Sequence, residues 1–131
     1  MYVCMYVCVP PDYMQDRFND AGWGCAYRSL QTICSWLYFQ RYTTIPVPSH
    51  VEIQEILVAQ EEKPDYFVGS RDWIGSTELN VVLSTRYGID CKIMFISSGG
   101  EIASKARDIA KHFQTQGTPI MMGMLFLSWR V

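Results

Sequence analysis

The run Gly22-Trp23-Gly24-Cys25 constrains this chain more than any other stretch. Its two glycines free the backbone to turn tightly. Behind them Tyr27, Leu30, Cys34, Leu37 and Tyr38 recur at helical spacing, and no Gly or Pro interrupts residues 26–39. A tight turn therefore delivers Cys25 to the start of an amphipathic helix. The first turn of a helix carries unpaired N–H groups and about half a positive charge. A free thiol, with a pKa near ~8.5, is only slightly ionised at neutral pH. Helix N-termini and cationic neighbours bring that value down to roughly 3.5–7.5. Cys25 is thus the candidate nucleophile, and Gly22 and Gly24 leave room for a substrate to approach its sulfur. The competing reading is a buried cysteine in a helix-start turn, a common fate of this side chain.

The rest of the composition narrows the function classes. With 131 residues the chain is one domain at most, and 49% hydrophobic residues can supply a core. A net charge of −2 provides no basic field for nucleic acid. No apolar run approaches the ~18 residues of a membrane span, so direct membrane insertion is not expected. The 5 cysteines include no Cys-x-x-Cys pair, which argues against a disulfide framework or a zinc site and for a reducing compartment. No metal and no cofactor is expected.

Residues 1–8 are Met-Tyr-Val-Cys twice. A repeated ATGT tract read in threes gives this tetrapeptide, so 1–12 reads as a leader of translated simple repeat. It lacks the basic start and cleavage site of a secretory signal. Pro46 and Pro48 hold the loop 41–48 extended. Ser49 and Glu52 form a capping box that starts a helix to about Gln60, with Ile53, Ile56 and Leu57 inward. The charged run 61–65 reads as a solvated loop. Ser76 is the expected cap of a third helix that buries Leu79, Val82 and Leu83 and stops at Gly88. Ile89, Cys91, Ile93 and Phe95 alternate, which predicts a strand over 89–96. A last helix over 101–114 turns Ile102, Ala106, Ile109, Ala110 and Phe113 inward, Gly117 ends it, and Pro119 begins an apolar strand. This order predicts an α+β architecture.

Gly-Trp-Gly-Cys followed by Arg28 and Gln31 resembles two papain-like groups of cysteine proteases that act on ubiquitin-like modifiers. One is the autophagy-modifier group, kept as the alternative. The other is the ubiquitin-fold-modifier-specific protease family, which the chain resembles more. The stretch Tyr13-Met14-Gln15-Asp16-Arg17-Phe18 and the Gly117-Thr118-Pro119 turn also fit that family, and the passage Phe67-Val68-Gly69-Ser70-Arg71-Asp72-Trp73-Ile74-Gly75-Ser76 is the discriminator. The resemblance implies a papain-like cysteine protease fold, with residues 13–123 as the N-terminal part of the peptidase domain. It implies cleavage after the terminal glycine of ubiquitin-fold modifier, to mature the precursor and to strip conjugates. It implies Cys25 as nucleophile and Tyr13 as the oxyanion-stabilising phenol, a donor whose loss typically costs ~10²–10³ in rate. The implied setting is cytoplasmic, extending to the endoplasmic reticulum and nucleus. Trp23, Gly24 and Trp73 would wall a slot for glycine, with apolar packing the competing reading of the two indoles. Arg28 and Gln31 read as hydrogen-bonding supports of the turn.

One part of the pattern is absent. The family supplies its general base and orienting carboxylate from an Asp-Pro-His segment, and no such tripeptide occurs here. The 2 histidines, His50 and His112, fall in polar contexts and read as solvent-exposed. The expected fold is therefore incomplete at its C-terminus, and 124–131 reads as a non-family tail of intron translation. Without base and orienter a catalytic unit typically loses ~10³-fold or more. The chain is expected to be an impaired protease, or else a non-catalytic modifier-binding fragment. An apolar strand over 120–127 without a neighbour would also limit solubility.

Overall fold

The computed structural model describes residues 17–96 and 99–122. They form four α-helices: α1 (Cys25–Phe39), α2 (His50–Ala59), α3 (Ser76–Tyr87) and α4 (Gly99–Thr115), with a short 3-10 turn at Asp65–Phe67. The repeat at 1–8, Tyr13 and the tail 124–131 lie outside the described residues.

The central element is α1. It buries Ala26, Tyr27, Leu30, Ile33, Cys34 and Leu37, the face the spacing predicted, but also Arg28 and Thr32. Tyr38, expected inward, is instead 46% exposed because the buried arc rotates toward Ile33 and Thr32. Against α1 lie Ile53 and Leu57 of α2, Phe67 and Ile74 of the following loop, Leu79, Val82 and Leu83 of α3, and Ile120. Helix α2 also packs directly on α3 and on the 3-10 turn.

Local chemistry sets the boundaries. Ser49 Oγ accepts the Glu52 N–H, and the Glu52 carboxylate accepts the Ser49 N–H, the capping box expected at α2. At α3 the cap is Gly75, not Ser76: the Gly75 N–H donates to Glu78 Oε2 at 2.9 Å, and Ser76 is already helical. Gly88 ends α3 in the left-handed conformation. The 61–65 loop is less solvated than expected, since Lys63 Nζ pairs with Glu78 Oε1 at 2.7 Å.

Two expectations fail for a common reason. Residues 89–96 form no strand. A strand needs a neighbour to complete its ladder, and the Cys91 N–H instead donates to Asn80 Oδ1 of α3 at 2.8 Å. Ile89 and Cys91 still pack against the core, while Phe95 is 80% exposed. Helix α4 has the expected span, but of its apolar face only Ile109 packs on the core. Ile102 and Phe113 are exposed, as are Ala106 and Ala110. Periodicity marks a face that could be covered; only a neighbouring layer covers it. Among the described residues the helical layer is therefore present and strand geometry is confined to Ile120.

Candidate active site

The site begins with Asp20. Its backbone carbonyl accepts the N–H of Trp23 at 3.2 Å and of Gly24 at 2.8 Å, closing the turn. Gly22 sits at φ +85°, in the left-handed region that a β-carbon disfavours. Gly24 has a different constraint: a β-carbon there would lie 2.5 Å from Asp20 Cβ. The turn thus needs its two glycines for two separate reasons, one conformational and one steric. Its product is Cys25 as the first residue of α1, with Gly24 as N-cap.

Cys25 is solvent-exposed, whereas Cys34 is buried and Cys91 half-buried. No side chain caps α1, and its first turn holds no acidic residue. The helix-end N–H groups and partial positive charge therefore face the thiol without a carboxylate from that turn to offset them. Burial pushes the Cys34 thiol up to about 11. The sulfur that sequence spacing singled out is accessible and stands at the electropositive end of the helix.

Arg28 and Gln31 hold the turn, as the sequence suggested. Arg28 Nε donates to Asp20 Oδ2 at 2.5 Å, Arg28 Nη1 to Gln31 Oε1 at 3.2 Å, and Gln31 Nε2 to the Pro48 carbonyl at 3.0 Å. The fourth member of this cluster was not foreseen. His50 is 5% exposed, and its Nε2 lies 3.2 Å from Asp20 Oδ2. Its ring stacks on Tyr27 at 5.1 Å and packs against Phe18 and Trp23. Burial, and next the Arg28 guanidinium, hold the imidazole below its usual pKa; Asp20 pulls upward and is outweighed. His50 is thus a neutral core histidine, correcting the expectation of an exposed one. His112 is also buried, with Nε2 2.9 Å from the Thr118 carbonyl and 3.1 Å from Thr118 Oγ1. It locks the turn after α4. Both imidazoles are buried and held by neighbours, His50 by Asp20 and Tyr27 and His112 by Thr118.

Trp23 is 7% exposed and packs edge-on against Tyr27 at 5.2 Å, so its indole belongs to the core. Trp73 is 67% exposed and remains available to a ligand. The loop carrying it is tied down by Gln54, a buried amide of α2. Gln54 Oε1 accepts the Gly69 N–H at 2.8 Å, and Nε2 donates to the Ser70 carbonyl at 3.0 Å and to Tyr27 Oη at 3.3 Å. Tyr27 Oη in turn donates to the Asp72 carbonyl at 3.0 Å. Sequence reading missed Asp20, His50 and Gln54 as site supports. Asp20 lies two residues before the motif, and its partners Arg28 and His50 stand 8 and 30 residues further along the chain with no local periodicity to reveal them.

A cavity of about 570 Å³ opens beside Leu37, Ile89 and His112. Leu37 lies about 18 Å along α1 from Cys25, at a rise of ~1.5 Å per residue. The cavity is therefore remote from the exposed Cys25 thiol.

The model of peptidase family C78 matches residues 2–128. This chain belongs to peptidase family C78. Family C78 relatives include Ufm1-specific protease 2 of Homo sapiens, 60% identical over 111 residues, which are 85% of this chain and 24% of the human protein. The Gallus gallus protein of the same name is 58% identical over the same share of each chain. The probable Ufm1-specific protease 2 of Drosophila melanogaster is 54% identical over 85% of this chain and 18% of its own. The chain therefore spans about a quarter of the length of these vertebrate relatives. Among solved C78 structures, the crystal structure of UfSP from C. elegans superposes with a TM-score of 0.71 at 46% identity, covering 83% of this chain and 19% of that one. The fold is thus that of a papain-like cysteine protease, of which the described residues are helical.

Proposed function

We propose that this chain carries the nucleophile of a thiol protease that cleaves after the C-terminal glycine of Ufm1, the ubiquitin-fold modifier, in precursor maturation and in release from conjugates. The observation that carries this reading is the exposed Cys25 at the uncapped start of α1, behind a turn that favours glycine at positions 22 and 24. The names of the relatives favour Ufm1 over the autophagy modifier. Cys25 attacks the glycine carbonyl, with Gly24 and Trp73 lining the approach and the Tyr13 phenol donating to the developing oxyanion. The three described cysteines are free thiols, which suits a reducing compartment such as the cytoplasm, at the endoplasmic reticulum or in the nucleus.

Neither histidine serves as base in this reading, since both are buried and engaged elsewhere, His50 with Asp20 and Tyr27 and His112 with Thr118. That placement also favours a second reading, a fragment that holds the modifier tail without turning it over. A Ufm1 vinyl electrophile tests the first: rapid labelling that disappears in Cys25→Ser supports the nucleophile, and no labelling above the Cys25→Ser background overturns it. Retention on immobilised Ufm1 without cleavage of a Ufm1 fusion supports the second.

A further inference from the structure

The loop 69–73 reaches the site through one continuous chain of hydrogen bonds. The Gly69 N–H donates to Gln54 Oε1, Gln54 Nε2 donates to Tyr27 Oη, and Tyr27 Oη donates to the Asp72 carbonyl. Gln54 also donates to the Ser70 carbonyl. Gln54 is 1% exposed and Tyr27 0% exposed, so neither has water as an alternative partner. Every donor and acceptor of the Gln54 amide facing the loop is used, and a buried network completed in this way is rigid. Its far end is anchored two residues beyond Cys25, on the same helical turn. We infer that Tyr27 and Gln54 are positioning residues that set the exposed Trp73 at a fixed place relative to the Cys25 sulfur, and so determine how the glycine tail of a modifier is presented to it. This inference rests on the reading of Cys25 as nucleophile and of Trp73 as a substrate contact.

The physical reason for such a device is the loop's own composition. Gly69 stands at φ +83°, with open space where a β-carbon would lie, and Gly75 follows Trp73 by two residues. Glycines at both ends give the segment freedom that must be removed before a tail is held in register. The core does this only at Phe67 and Ile74, which are buried; the backbone from 69 to 72 is held by polar bonds. Burial holds the Tyr27 phenol above its ordinary pKa, so it stays a neutral donor at working pH.

Two electrophiles separate positioning from intrinsic thiol reactivity. Iodoacetamide alkylates the thiolate with loss of iodide and needs no docking. A vinyl sulfone on a glycine-terminated peptide adds the thiolate at its terminal vinyl carbon and takes a proton from water at the neighbouring carbon, and its rate depends on presentation. Tyr27→Phe keeps the ring stack and removes the hydroxyl alone. The expected result is an iodoacetamide rate at Cys25 within about twofold of the parent, and a peptide vinyl sulfone rate lower by about threefold to tenfold, the worth of one buried hydrogen bond. Gln54→Met and Trp73→Ala should shift the same ratio in the same direction. Amide hydrogen exchange should accelerate at 69–73 in Tyr27→Phe while α1 keeps its protection, a readout that survives if labelling is slow. Equal loss with both electrophiles would reduce the network to a fold support and overturn the inference. So would an unchanged ratio together with unchanged exchange. A parent chain that reacts no faster with the peptide probe than a free thiol does, yet alkylates normally with iodoacetamide, overturns the substrate reading first, and the positioning role with it.

Discussion

At the scale of single residues, two atoms of similar chemistry are placed in opposite environments. The Cys25 sulfur is exposed at the electropositive end of α1, and the Cys34 sulfur is sealed inside that helix's buried face, with its thiol pushed up to about 11. Iodoacetamide at neutral pH should therefore modify Cys25 at least about a hundredfold faster than Cys34, since burial both raises the Cys34 pKa and blocks access to its sulfur. Peptide mapping of the alkylated protein over time checks this, and equal rates would remove the case for a nucleophile. Gly24→Ala should cost about 1–3 kcal/mol of stability, read by urea unfolding, because the new methyl meets Asp20 where no side chain can yield freely. His50 gives a pH dependence of definite sign. Its folded-state pKa is depressed, so below about pH 6.5 the unfolded chain binds a proton that the folded chain resists. Native stability should fall as the pH drops from there toward the folded value. His50→Phe, which keeps a ring against Tyr27, should flatten that part of the profile.

Among the elements, the helix ends show how local chemistry can be both correct and costly. Helices α1 and α2 end on left-handed residues that are not glycine: Arg41 at φ 60° and Glu61 at φ 58°. The chain returns through Tyr42 N–H to the Leu37 carbonyl and through Glu62 N–H to the Leu57 carbonyl, satisfying carbonyls that the helices leave open. A side chain in this conformation carries a steric penalty that glycine lacks. Glu61→Gly should therefore stabilise the chain by about 0.5–1 kcal/mol, net of the greater freedom glycine gains when unfolded. A lowered thermal midpoint would contradict this. The opposite sign is expected at the start of α2, where Ser49→Ala removes the cap on the Glu52 N–H and should cost about 1 kcal/mol.

For the whole molecule, the large apolar side chains left exposed on and around α4 in the sequence govern behaviour in solution. Phe95 is 80% exposed, Met122 63%, Phe113 46% and Ile102 44%. Apolar side chains of this size normally lie against another layer, and left open they favour association. The isolated chain should self-associate as its concentration rises into the micromolar range and above, and Phe113→Lys should delay that onset without changing Cys25 reactivity. Sedimentation or light scattering across a dilution series reads both. The α+β, papain-like expectation agrees with the match to the C. elegans structure, yet residues 89–96 form no strand, and the Cys91 N–H is taken by Asn80 Oδ1.

The amino-acid order by itself determined what depends on neighbours a few residues apart. It placed Cys25 at a helix start, marked the Ser49–Glu52 cap, outlined the buried faces of α2 and α3, and pointed to the family through a contiguous motif. These features rest on helical periodicity and on hydrogen bonds within one turn, which a sequence displays directly. The tertiary structure alone decided whether a polar side chain would be enclosed and whether an apolar face would be covered. Thus His50 became a neutral stack beneath the turn, Asp20 the point where three segments meet, and Gln54 the tether of a loop, while the apolar stripe of α4 stayed open. Enclosure is a property of what the rest of the chain brings alongside, and no local pattern encodes it.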